Sequence, residues 1–247
     1  MRKLIAGNWK MHGSLAALDE VAAIAAVAAQ HAAVDVALAL PATLIAPARS
    51  RAPSLMIGAQ DVHARDHGAH TGCLAADMVR EAGAIFTLVG HSERRSDQGE
   101  TNQDVWAKAV AARRAGLGVI LCVGETGDER DAGRATRVVQ AQIEQGVPDD
   151  AEGSWLTIAY EPRWAIGTGR TPTLNEIEDI HDVARAKLRM LLGDAGVGVR
   201  ILYGGSVSGA NAADILAIGS VDGALVGGAS LTAAKFAPII MAAADLA

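Results

Sequence analysis

The chain has 247 residues, half of them hydrophobic and a fifth charged, which suits one folded unit that buries most of its surface and argues against disorder. Its net charge of -6 comes from 22 basic and 28 acidic residues with no basic stripe, so nucleic acid is not expected as a partner. The apolar run at the start stops after Ala6, too short for a signal peptide, and no run reaches the roughly 18 residues of a membrane helix. Two cysteines, Cys73 and Cys122, form neither a disulfide framework nor a CxxC pair, which points to a reducing cytoplasm.

Short aliphatic runs alternate with longer amphipathic stretches, the pattern of βαβ units around a parallel sheet. The runs predict eight strands, at Lys3 to Gly7, Val34 to Leu40, Leu55 to Gln60, Ala84 to Gly90, Gly118 to Val123, Leu156 to Glu161, Val199 to Tyr203 and Gly223 to Val226. Among the helices expected after them are Ser14 to Gln30, Gln103 to Ala115, Glu129 to Gln145, Leu174 to Leu192 and Thr232 to Leu246, with a capping box at Thr173 to Glu176. Aromatic residues are only 3% of the chain, so the core must be aliphatic. Eight such units without a linker close most simply into one α/β domain spanning 1–247, a (β/α)8 barrel, with an open doubly wound sheet as the alternative.

A barrel concentrates chemistry at the C-terminal ends of its strands, and the unusual residues of this chain fall there. Asn8 and Lys10 follow the first strand on one face while Trp9 points away; Lys10 is a cation for an anionic substrate, a Schiff-base nucleophile, or half of a salt bridge at the barrel mouth. His91 stands at the exit of the fourth strand, before a segment whose helical start would favour an uncharged ring; a structural histidine is the plainer reading. Glu93 reads as part of an ion-pair cluster with Arg94 and Arg95. Glu161 ends the sixth strand, held extended by Pro162, and could be a base if an apolar cover such as Ile166 and Leu225 raised its basicity, or merely a solvated charge.

The following stretch, Pro162 to Pro172, carries a Trp-Ala-Ile patch and then glycines, and reads as a lid or as a passive connector. Glycine-rich turns after the seventh and eighth strands, Gly204-Gly205-Ser206 and Gly227-Gly228-Ala229-Ser230, are placed to offer main-chain amides to a phosphate. Asp61, His63, Asp66, His67 and His70 crowd together, but Gly68 within the segment makes a polar loop the better reading than a metal site.

Six segments together carry a resemblance that spans nearly the whole chain: Ala6 to Met11, Gly90 to Arg95, Ala159 to Pro162, Ala165 to Gly169, Tyr203 to Val207 and Leu225 to Leu231. In order and spacing the chain resembles the triosephosphate isomerases, which are TIM barrels. The resemblance implies interconversion of dihydroxyacetone phosphate and D-glyceraldehyde 3-phosphate through an enediolate, in glycolysis and gluconeogenesis, with no cofactor or metal. Glu161 would carry the proton between C1 and C2 and an uncharged His91 would serve the oxygens, the pairing that typifies this family. Lys10 would supply positive charge, Asn8 would orient the substrate, and the amides of Gly167, Ser206, Gly227 and Gly228 would hold the phosphate. It further implies that Glu93 pairs with Lys10, that Ile166 and Leu225 close over Glu161, and that two chains pair through the loop holding Gln60, Asp61, Thr71, Gly72 and Cys73. Three positions depart from the family's pattern: Asp61 stands where Asn is common, Cys73 where an acid is common, and Arg163 where the lid's first hinge has a small aliphatic residue. The competing functions are an isomerase of a larger phosphorylated ketose, a Lys10 Schiff-base aldolase, and a noncatalytic phosphate-binding or scaffold protein.

Overall fold

The computed structural model describes residues 1–165 and 170–246. Eight parallel strands close in sequence order: β1 (Leu4–Asn8), β2 (Asp35–Leu40), β3 (Met56–Ala59), β4 (Phe86–Val89), β5 (Gly118–Val123), β6 (Leu156–Tyr160), β7 (Arg200–Tyr203) and β8 (Gly223–Val226). Closure comes from β1 against β8, in the register Leu4 to Gly223 and Gly7 to Val226. The open-sheet alternative is thereby excluded, and the fold is a (β/α)8 TIM barrel.

Side chains alternate in and out along each strand, and the two sets build two cores. The inward set packs Leu4, Ala6, Ala37, Ala39, Phe86, Leu88, Ile120, Cys122, Ala159, Leu202 and Leu225 along the barrel axis, small beside large so that the interior is filled. The outward set, including Ile5, Leu38, Val89, Leu121, Ile158, Ile201 and Val226, meets helix residues such as Ile24, Ile45, Val105, Val139, Ile180, Leu188 and Ile239. Because Leu4 and Ala6 point inward, the parity of β1 sends Asn8 inward as well; Thr157 and Ala159 set up Glu161 in the same way at the end of β6.

The helices are α1 (Leu18–Gln30), α2 (Ala42–Arg51), α3 (Ala76–Glu81), α4 (Ser92–Asp97), α5 (Asn102–Arg114), α6 (Gly127–Asp131), α7 (Ala135–Gly146), α8 (Leu174–Leu192), α9 (Asp194–Val197), α10 (Ala212–Leu216) and α11 (Ala233–Ala244). Two differ from expectation in a way the backbone explains. The stretch expected as one helix from Ser14 opens as a 3-10 turn, Leu15–Ala17, before α1. The stretch from Glu129 to Gln145 is two helices, α6 and α7, parted at Gly133, whose φ of +68° is a left-handed conformation that ends α6. The capping box at Thr173 is present: its hydroxyl accepts from the Glu176 N–H, and Glu176 accepts from the Thr173 N–H at 2.7 Å. Among the described residues no helix is long and apolar enough to cross a membrane.

Candidate active site

A cavity of about 610 Å³ opens at the C-terminal ends of the strands. It brings together Asn8, Lys10, His91, Glu93, Glu161, Ser206, Leu225, Gly227 and Gly228, residues from five separate strand ends. Gly167 and Ile166, assigned to the phosphate and to the cover of Glu161, lie outside the described residues.

Glu161 is almost completely buried, and both carboxylate oxygens are engaged. Oε2 accepts the Ser92 N–H at the start of α4 (2.8 Å), and Oε1 lies 2.9 Å from His91 Nε2. Burial favours the protonated acid, but His91, the Ser92 amide and Lys10 together outweigh it and hold the carboxyl below its ordinary value. The carboxylate is turned toward a cation-capable ring and a helix start, which lower its pKa, while Ile166, one of the two covers expected to raise it, lies outside the described residues. Leu225, one of the two expected covers, lines the cavity and is 3% exposed. A side chain at Gly204, on the neighbouring strand end, would place a Cβ 2.9 Å from Glu161 Cγ, so glycine there makes room for the carboxylate.

His91 caps α4, and its Nδ1 accepts the Glu93 N–H at 3.3 Å. That bond requires a bare Nδ1, so the ring's proton belongs on Nε2, facing Glu161. Burial pushes the imidazole pKa down, yet Glu161 and then Glu93 push it up by more, and the ring sits above its ordinary value while paired with Glu161. The uncharged ring expected from the helix start thus has the main-chain bond in its favour and the paired carboxylate against it.

Lys10 has a φ of 51°, the only left-handed non-glycine among the described residues. Its N–H donates to Asn8 Oδ1 (2.9 Å), and its carbonyl accepts from Gln60 Nε2 (2.8 Å), so the strained turn is pinned from both sides. The ammonium reaches Glu93 Oε1 at 2.7 Å. The reading of Glu93 as one cluster with Arg94 and Arg95 is corrected: Arg94 binds Asp61 and Glu100, Arg95 binds the Gly90 carbonyl and Asn102, and Glu93 faces the cavity. Trp9 points away as expected and donates to the Ser230 carbonyl (2.9 Å), which ties the turn after β1 to the turn after β8.

The metal reading finds no support in where those side chains go. Asp61 is bound by Lys108 (2.8 Å) and Arg94 (3.0 Å), Asp66 pairs with Arg114, and the rings of His63 and His70 lie 4.1 Å apart. Among the described residues no set of three or more His, Cys, Asp or Glu is placed to hold an ion.

Sequence reasoning passed over three features. Ser92 contributes through its main chain, which side-chain chemistry does not reveal. Glu125 is wholly buried and its Oε1 accepts from Trp164 Nε1 (2.7 Å), Tyr160 Oη (3.1 Å) and Arg130 Nη1 (3.1 Å), anchoring the segment after Glu161. Ser96 and Asp97 line the cavity mouth, where Arg163 Nη2 donates to Ser96 Oγ at 2.6 Å. Glu125 had a signal in Thr126-Gly127-Asp128-Glu129, a helix-capping pattern that places it just before a helix start.

The triosephosphate isomerase family model matches residues 3–243 of the chain. The chain is 52% identical over 243 residues to the triosephosphate isomerase of Ruegeria sp. (strain TM1040), covering 98% of both. It is 54% identical over 242 residues to that of Afipia carboxidovorans, covering 97% of this chain and 96% of the relative. Among solved structures it is similar to triosephosphate isomerase from Bartonella henselae, with a TM-score of 0.93 and 39% identity over 98% of this chain and 99% of that one. A closed eight-stranded barrel, a carboxylate and an imidazole facing each other at its mouth, and full-length likeness to these enzymes place the chain in the triosephosphate isomerase family.

Proposed function

We propose that this protein is an isomerase that interconverts dihydroxyacetone phosphate and D-glyceraldehyde 3-phosphate, with Glu161 as base and His91 as the acid at oxygen. The observation that carries this reading is the 2.9 Å approach of Glu161 Oε1 to His91 Nε2 inside a cavity that also holds the Lys10 ammonium. A triose that enters between the two groups takes the place of each as the other's partner. Glu161 then loses the imidazole that depresses its pKa, and its carboxylate is freed to accept a carbon-bound proton from C1 and return it to C2. His91 loses the carboxylate that raises its pKa; burial and the amide at Nδ1 remain, and both favour the uncharged ring with its proton on Nε2. An uncharged imidazole gives that proton to one enediolate oxygen and takes one from the other.

Lys10 supplies charge for the developing oxyanion, and Asn8, fixed by the Lys10 N–H, orients the substrate. The main-chain amides of Ser206, Gly227 and Gly228, with Gly167, hold the phosphate. The Gly227 carbonyl is turned away from that task by Ser230, whose N–H and hydroxyl both donate to it (2.8 and 2.7 Å). The chemistry asks for no cofactor or metal. Neither a larger ketose nor a Lys10 Schiff base is favoured by the relatives, and the Lys10 ammonium is engaged with Glu93 in an ion pair. A working chain is expected to be a cytoplasmic homodimer joined through the loop from Asp61 to Cys73, acting in glycolysis and gluconeogenesis and without nucleic-acid partners.

The test is a metal-free assay of glyceraldehyde 3-phosphate formation on the wild type and Glu161→Gln. Loss of general base catalysis in the variant is expected to lower turnover by about 10²- to 10⁴-fold. Full activity in Glu161→Gln would remove the carboxylate from the mechanism.

A further inference from the structure

We infer that the opposite end of the barrel holds a second small-molecule site, built for a compact organic carboxylate with an aromatic or branched apolar body. The site is a cavity of about 370 Å³ at the N-terminal ends of the strands. Leu4, Phe86 and Thr157 line it, and each lies four or five residues before a group of the upper cavity: Asn8, His91 and Glu161. Four strand residues span about 13 Å, so the packed middle of the barrel separates the two cavities. The inference therefore does not depend on the reaction assigned to the upper one.

The floor is apolar, made by Leu4, Met56, Phe86 and Ile120, the lowest layer of the inner core. Its volume falls in the range of small-molecule pockets and matches a single ring with a short tail. The rim is cationic. Arg113 lines it, forms no ion pair among the described residues, and lies with its guanidinium carbon 5.3 Å from the centre of the Trp155 ring. Arg200 lines the other side, and its partner Asp35 (2.5 Å) is also shared with Arg2 (3.2 Å). The second nearby carboxylate, Glu152, accepts from Ser154 Oγ (2.6 Å). Three guanidiniums thus meet two carboxylates, one positive charge in excess, and Arg113 is the one of the three with no carboxylate partner among the described residues.

Trp155 supplies the second, independent observation. Its side chain is 6% exposed, yet its indole N–H is buried without a hydrogen-bond partner among the described residues. A buried donor left unmatched is costly, and a small turn of the Trp155 ring toward the cavity would let a carboxylate oxygen bound beside Arg113 satisfy it. A planar guanidinium already stacked on an indole is preorganised for a carboxylate rather than for a neutral amide.

The probe is 3-phenylpropionate, titrated into the wild-type protein with its neutral amide as control, with binding followed by calorimetry and by the rise in Tm that native-state binding produces. The acid is expected to saturate one site per chain, at least about tenfold more tightly than the amide, with glycerol 3-phosphate leaving its affinity unchanged. Arg113→Met, a change at an exposed side chain, is expected to weaken the acid by about tenfold or more while isomerase activity stays at the wild-type level. Equal binding of acid and amide, undiminished binding to Arg113→Met, displacement of the acid by glycerol 3-phosphate, or no saturable binding would each overturn the assignment.

Discussion

Arg163 shows how one side chain can bear on a site without touching the reacting atoms. Its main-chain N–H donates to the Glu125 carbonyl (3.1 Å) and its guanidinium donates to Ser96 Oγ (2.6 Å), so the residue that begins the loop after Glu161 is fastened to the elements on both sides. It sits in a 3-10 turn, Arg163–Ala165, with Trp164 and Ala165 buried beside it. Replacing the guanidinium with a small aliphatic side chain removes the link to α4 and leaves the buried turn in place. Arg163→Val is accordingly expected to change kcat by several-fold while shifting Tm by only a degree or two, since surface changes outside networks stay within about 0.5 kcal/mol. Unchanged kcat would show that the Ser96 bond has no bearing on turnover.

The side chains that form the site were legible from sequence because their positions are local facts. Asn8, Lys10, His91 and Glu161 each stand just past an apolar run, and strand parity alone turns Asn8 and Glu161 inward. Their partners were not legible, because those are facts of distance. The Ser92 N–H that binds Glu161 is 69 residues away from it in the chain, and nothing near Glu161 announces that its carboxylate will rest on a helix start with a lowered pKa. The same holds for Asp61: the sequence shows it only as standing where Asn is common in the family, yet it has two cations, Lys108 and Arg94, as partners.

Among the elements, α8 couples the barrel to pH. Its His181 is completely buried beneath Tyr160 and Tyr203, with Tyr160 edge-on at 5.9 Å and Nδ1 3.1 Å from the Ser220 carbonyl. Burial, only partly offset by the carbonyl, depresses the ring's pKa to about 4. In the unfolded chain the same ring titrates near the ordinary 6.5, so unfolding takes up a proton between those two values. Stability is unaffected above pH 6.5, falls as pH drops through the window, and has lost this contribution in full below about pH 4. The total is roughly 3 kcal/mol. Urea unfolding of wild type and His181→Gln at pH 7 and pH 4.5 measures it: the wild type is expected to lose more stability over the interval than the variant. Parallel losses would assign the acid sensitivity elsewhere.

The same helix shows what its own sequence could and could not say. Its start was readable, since Thr173 and Glu176 need only each other; Thr173→Ala is expected to cost about 1 kcal/mol by urea unfolding. The equivalent boxes at Thr101 with Asp104 and Thr126 with Glu129 obey the same rule, and the second explains why α6 starts where it does. Interruptions were harder. The amphipathic period runs on through Gly133, and only the left-handed backbone there divides α6 from α7. Strand ends also shifted by a residue or two, as at β3 and β4, because ladder pairing with neighbours rather than apolar content sets their limits.

For the whole molecule, the closed sheet accounts for the inner and helix-facing surfaces but not for exposed apolar side chains in the segments after β1 and β3. Met11 is 97% exposed and Leu15 67% exposed in the segment after β1, while Leu74 and Met78 are exposed after β3. These two segments are joined at their bases by the bond from Gln60 to the Lys10 carbonyl. Large apolar side chains exposed on these two segments are unfavourable in water, and the second chain of the proposed homodimer would cover them. The strained Lys10 backbone lies in the same segment, so a partner that braces Met11 also holds Lys10 in its left-handed turn. Association and activity are therefore expected to fall together. Met11→Lys should shift the sedimenting species from two chains toward one and lower kcat/KM by tenfold or more, with the barrel still folded by circular dichroism. A wild-type protein that sediments as one chain with full activity would show that the Lys10 turn is held by Asn8 and Gln60 alone.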